Sequence, residues 1–142
     1  MVSVNDLADR PPHPLDNGDV IDLGGKRVRY LATPHVPHGW EAGVLFEETT
    51  STLLCGDLFT QLGDGPTVRT ESPMEATVVA EDMFGYSCLS PSTVPTVERL
   101  ADLSPTTLAL MHGPSHTGDG AQWLRELAAD YRRRADLALA PA

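Results

Sequence analysis

Short runs of alternating apolar and polar positions come first. Ile21 and Leu23 mark one such run within Gly18–Leu23, and Val28, Tyr30 and Ala32 mark another within Arg27–Ala32. With Gly24 and Gly25 between them, they predict a β-hairpin closed on a glycine turn. Gly43–Phe46 and Thr52–Cys55 predict a second hairpin around the polar turn EETTS, with Leu45, Leu53 and Leu54 as its apolar surface. Thr107–Met111 is a largely apolar run of strand length that closes in His112 and Gly113. Helical spacing takes over in three places. Glu75–Tyr86 is one; Pro95–Leu103 is a second, with Val97, Leu100 and Ala101 on one face, Pro95 in the first turn and Pro105 beyond the end. The third opens at Asp119, with Gln122 as a capping-box partner and Leu124, Leu127, Ala128 and Tyr131 as the buried stripe.

Between these elements the chain is punctuated. Prolines 11, 12 and 14 exclude helix and central strand, so residues 1–17 read as a tether that leaves His13 exposed. Residues 18–138 read as one domain and 139–142 as a tail. Gln61–Ser72, with Gly63, Gly65 and Pro66, reads as loop, and Pro73 keeps any following helix from starting earlier than itself. Arg132, Arg133 and Arg134 read as a solvated helix end, where the helix dipole favours cations.

Composition narrows the possibilities. A chain of 142 residues that is 41% hydrophobic can bury roughly two thirds of its unfolded surface in a single core. A formal net charge of -10 argues against a nucleic-acid or anionic-membrane surface. No apolar run is long enough to span a bilayer and the first residues do not resemble a signal peptide, so a cytoplasmic location is expected. Cys55 and Cys88 are too few for a disulfide framework and read as small buried apolar residues.

The chemistry-bearing residues gather near predicted strand ends. Thr33–Gln61 begins with His35 and His38 around Pro37 and delivers Asp57 directly after the apolar strand, where Gly56 lets the backbone turn. His112 ends the later strand. Histidine, aspartate and histidine so placed point to metal ligands. His116, in the loop beyond, reads as exposed.

In order, LDNGDVIDLGGKRVRYLATPH, VLFEETTSTLLCGD and LALMHGP resemble the C-terminal half of the metallo-β-lactamase fold superfamily, over about Pro14–Arg134. The resemblance implies an α/β (α+β) fold: half of an αββα sandwich, a mixed sheet flanked by helices, with residues 18–138 a partial domain of that type. It implies a metal site in which His35, two places before a proline, and His112 each serve one of two ions and Asp57 bridges them. His38 is the competing ligand in the first turn, and His116 a remoter one. The turn around Thr33, Pro34 and His35, and the stretch CGDLFTQ, are closest to the oxygen-binding diiron and flavodiiron branch.

One departure matters. The family's first metal motif, His-x-(His or Glu)-x-Asp-His, is absent from the sequence. The expectation is therefore a metal-binding, hydrolase-like protein that is weak or inactive alone, loaded with zinc or iron and acting on a small molecule of unknown identity. The alternatives are an O₂-binding diiron protein and a non-catalytic half-domain. A His₂Asp set holding one ion is expected, with Glu41, Asp64 or Asp82 orienting the histidines. The inner sheet face of such a half would be left open, so a homo-oligomer, or a partner carrying the other half, is expected to cover it.

Overall fold

A computed structural model describes residues 9–40 and 42–140. Its elements, in chain order, are β1 (Val20–Asp22), β2 (Arg27–Ala32), β3 (Gly43–Glu47), β4 (Thr52–Gly56), β5 (Val68–Arg69), α1 (Met74–Phe84), α2 (Thr93–Ala101), β6 (Thr107–Leu110), β7 (Ser115–Thr117) and α3 (Gly120–Leu139). The strands form one seven-stranded mixed sheet in the order β1-β2-β3-β4-β6-β7-β5. Both expected hairpins are present, as antiparallel pairs β1/β2 and β3/β4, and β6 joins parallel to β4. The fold is α+β, as the resemblance implied.

Register decides which side chains meet the helices. Phe46 pairs with Leu53 and Leu53 with Leu108, so these three share a face, and there each is at most 8% exposed. That face forms the core with Val97 and Leu100 of α2 and Leu124, Leu127 and Tyr131 of α3. Leu45, Leu54 and Ala109 are likewise in register but on the opposite face, where Leu54 is 41% exposed. The open face is therefore narrower than the apolar strand sequences suggest, because alternate residues already lie under α2 and α3. No helix among the described residues is long and apolar enough to cross a membrane.

Several local expectations are corrected. The loop over Gln61–Ser72 contains the short edge strand β5, paired parallel to β7, and β7 itself was not foreseen. Two- and three-residue strands are too short to show an alternating pattern. Helix α2 begins two residues before Pro95. Pro95 is still within the first turn, where its missing N–H costs nothing. At α3, Asp119 accepts from the Gln122 N–H at 2.9 Å, but the Gln122 side chain reaches forward to Glu126 instead of completing a capping box. Helix α3 also runs past the arginine run to Leu139, and those arginines pair with Glu98 and Asp130 rather than standing free at a helix end. Burial opposes ionisation of Asp130, but the Arg134 and Arg133 guanidiniums outweigh it and hold the carboxyl below its ordinary value.

Candidate metal centre

Backbone geometry at two neighbouring strand ends builds the site. Strand β4 closes at Gly56 with φ +55°, a conformation that side-chain-bearing residues resist, and the chain turns there to bring out Asp57. Parallel β6 ends beside it: the Met111 N–H donates to the Gly56 carbonyl at 3.1 Å, and the Gln61 N–H donates to the His112 carbonyl at 2.9 Å. These bonds tie the segment after Asp57 to His112. The third contributor is the turn from Thr33 to Trp40. Buried Thr33 holds it closed, its hydroxyl donating to the Val36 carbonyl at 3.1 Å, while the His35 N–H donates to the Trp40 carbonyl at 2.8 Å.

This turn aims His38, not His35, at Asp57. His38 Nε2 lies 2.9 Å from Asp57 Oδ2, and its Nδ1 lies 3.0 Å from the Tyr86 carbonyl oxygen. His35 stands exposed at φ +62°. The sequence reading, which preferred His35 for its distance from Pro37, is corrected accordingly: spacing to a proline does not reveal which residue of a tight turn points inward. His112 Nε2 lies 3.2 Å from Asp57 Oδ1 on the other side of the carboxylate, with its side chain 58% exposed.

Two features of this cluster bear on what it can hold. The Tyr86 carbonyl can only accept, so His38 Nδ1 carries the proton. Nε2 then meets the carboxylate oxygen either as the second N–H of a doubly protonated ring or, in a neutral ring, through its lone pair. In the second form the two acceptors repel unless a cation lies between them, which a metal ion would supply. Asp57 Oδ1 is buried and has no hydrogen bond: the His112 contact has the distance of one but not the direction. Two ligands on a shared zinc-sized ion at bond lengths of about 2.1 Å stand roughly 3.4 Å apart without bonding each other. One imidazole and one carboxylate oxygen on each side suit zinc and iron alike.

The cluster fits only part of a centre. Among the described residues no three His, Cys, Asp or Glu side chains converge on a point that would hold an ion. The structure places His38 and His112 on the two separate oxygens of Asp57. His116 is corrected as well. It is 1% exposed on β7, its Nε2 meets the Gln61 side-chain nitrogen at 3.0 Å, and its Nδ1 donates to the Glu71 carbonyl at 2.8 Å. With both nitrogens engaged and Trp123 edge-on at 6.0 Å, it is a core residue and not a ligand. Glu41 lies outside the described residues. Asp82 pairs with Arg134 at 2.7 Å, and the orienting acceptor for His38 is instead the Tyr86 carbonyl. A backbone acceptor leaves no mark in sequence.

Aromatic side chains finish the pocket around His38. Trp40 stacks on it at 4.5 Å and Tyr86 meets it edge-on at 5.8 Å. Burial pushes the Tyr86 hydroxyl up to about 12, helped by the charges of Glu81 and Asp57. Cys55 is fully buried under the sheet, and burial raises its thiol further still, whereas Cys88 is half-buried.

No family model and no curated protein matches the sequence. Solved structures do. A metallo-beta-lactamase family protein from Thermus thermophilus is 25% identical with a TM-score of 0.56, over 92% of this chain and 38% of its own. Rubredoxin oxygen:oxidoreductase from Desulfovibrio gigas is 16% identical with a TM-score of 0.67, over 91% of this chain and 33% of its own. The apo state of a chemotaxis sensor, ODP, from T. denticola is 20% identical with a TM-score of 0.63, over 82% and 52% respectively. The chain therefore has the fold of the C-terminal half of a metallo-β-lactamase-type domain, and spans about half or less of the length of these proteins.

Proposed function

We propose that this chain supplies one side of a two-metal centre, His38 serving one ion, His112 the other, and Asp57 giving one carboxylate oxygen to each. The observation that carries this reading is the His38 ring, whose Nδ1 is committed to the Tyr86 carbonyl while Nε2 faces Asp57. Divalent ions in such a setting act as Lewis acids and can bring the pKa of bound water to about 7. The chain's own contribution is placement. Trp40 and the Tyr86 carbonyl fix the plane of His38 and the proton on its Nδ1, and Asp57 would hold negative charge between the two positions. The exposed His112 edge leaves room for a small-molecule substrate.

Two protein ligands per ion are fewer than the three or four that zinc sites ordinarily use. The remaining ligands therefore come from outside this cluster, on a second copy or on another segment, and the open sheet face around Leu54 is where such a body would sit. Hydrolysis is the first reading, and a diiron centre that handles O₂ is the second. The second is favoured by the shared fold of the Desulfovibrio gigas rubredoxin oxygen:oxidoreductase.

Metal analysis of the purified protein tests both. Zinc or iron should co-purify, fall away in His38→Ala, Asp57→Ala and His112→Ala, and persist in His35→Ala. Iron with an oxygen-sensitive absorption spectrum selects the second reading. Loss of metal in His35→Ala alone would sink the proposed ligand set.

A further inference from the structure

Gln61 borders a cavity of about 750 Å³ whose lining does not include His112, within the usual range for small-molecule sites of about 300–1,000 Å³. The loop after Gln61 and strand β5 form one wall, the start of α1 forms the other, and the mutually satisfied Gln61–His116 pair lies at the base. Three large apolar side chains face it while remaining more than half exposed: Leu62 at 52%, Val68 at 55% and Val79 at 54%. Apolar surface concentrated around one concavity marks a binding site more often than scattered exposure does.

Arg69 is the one cationic side chain in this lining. Its guanidinium lies over Gly65, where an added Cβ would come within 2.3 Å of Nη2. Apart from Arg10, which is exposed near the start of the described residues, the other cations are engaged. Lys26, Arg27 and Arg29 pair with glutamates on the sheet, all four arginines of α3 pair with carboxylates, and Arg99 donates to the Ala32 carbonyl. Among the described residues Arg69 has no carboxylate partner, in a chain with twice as many acidic as basic side chains. A half-buried guanidinium fork of this kind matches a carboxylate in two parallel hydrogen bonds.

We propose that this cavity is a binding site for a small monocarboxylate with an apolar body, its acid group on Arg69 and its chain against Leu62, Val68 and Val79. Glu71 and Glu75 stand exposed at the rim. Their charge is screened by water but still opposes ligands with several negative charges, such as phosphate esters. The site does not depend on the metal reading, because none of these residues belongs to the His38–Asp57–His112 cluster.

Titration calorimetry of the full chain with hexanoate tests it, with 1-hexanol and inorganic phosphate as the probes for body and charge alone. Hexanoate should bind saturably, hexanol and phosphate far more weakly. Arg69→Gln should weaken hexanoate at least about tenfold, as expected for loss of a charge-assisted pair, and Arg69→Lys should restore part of the affinity. His112→Ala should bind hexanoate as the unaltered chain does, even where it has lost its metal. Equal affinity in Arg69→Gln, equal binding of hexanol, or loss of binding in His112→Ala would each overturn the assignment, the last by placing the ligand at the metal cluster.

Discussion

His38 and Asp57 face each other nitrogen to oxygen at 2.9 Å while the other nitrogen of the same ring is held by the Tyr86 carbonyl at 3.0 Å. The carbonyl holds a proton on Nδ1 before any ion arrives. Nitrogen-detected NMR of the metal-free protein should show His38 protonated at Nδ1. Added zinc should move the Nε2 resonances of His38 and His112 and leave both nitrogens of His116 where they were. Movement at His116 of similar size would mean that its contacts to Gln61 and Glu71 open and that it competes for the ion.

The Gln61–His116 pair makes an opposite prediction for stability. Both ring nitrogens of His116 are satisfied in a site that is 1% exposed. His116→Phe leaves the buried Gln61 amide without its partner, a cost of about 1–3 kcal/mol for a buried unsatisfied group. Denaturant unfolding should register that loss. Metal content should not change, which separates a structural histidine from a ligand.

Leu53 and Leu54 are sequence neighbours on opposite faces, 0% and 41% exposed. Leu53→Ala opens a cavity beneath α2 and α3 and should cost about 2–5 kcal/mol. Leu54→Ala removes atoms that water already reaches, and in the isolated chain should cost less than about 1 kcal/mol. If a second copy or another polypeptide covers the open face, Leu54→Asp should shift sedimentation towards the monomer while thermal unfolding of the monomer stays near its original value.

The two hairpins, the α3 stripe and the strand-end position of Asp57 were legible because each rests on a local rule: alternation around a turn, 3.6-residue spacing, a glycine after an apolar run. What could not be read follows the same logic in reverse. Strand β7 spans only Ser115–Thr117 and gains its identity from pairing with β6 and β5, which no window of sequence contains. His116 was misplaced for that reason. The choice between His35 and His38 depended on how Thr33 closes a turn through its hydroxyl, a contact three residues long whose direction is set by tertiary packing. Arg69 looked like any loop arginine until Gly65 and the start of α1 came to stand around it.

The turn between β3 and β4 should carry part of the acid sensitivity of the fold. Glu47 accepts from the Thr50 hydroxyl and from the N–H groups of Thr49 and Thr50, at 3.0 and 2.9 Å for the latter two. The Thr50 hydroxyl first, and then Thr49, lower its carboxyl from 4.5 to about 2. A carboxyl whose folded value lies below its unfolded one stabilises the fold at every pH above the unfolded value, and that contribution is lost as pH falls through the folded one. The window is therefore from roughly pH 5 down to pH 2. Other carboxyls, among them Glu48 and Asp130, are lowered too, so the useful quantity is the difference between the unaltered chain and Glu47→Gln. Above pH 5 Glu47→Gln should be the less stable, and the gap should close as pH approaches 2. Added salt should leave the hydrogen-bonded share of the effect in place and reduce only the smaller attraction to the half-exposed Lys26, 3.6 Å away. A gap that stays constant from pH 6 to pH 2 would show that the turn is held by its backbone geometry and not by the carboxylate.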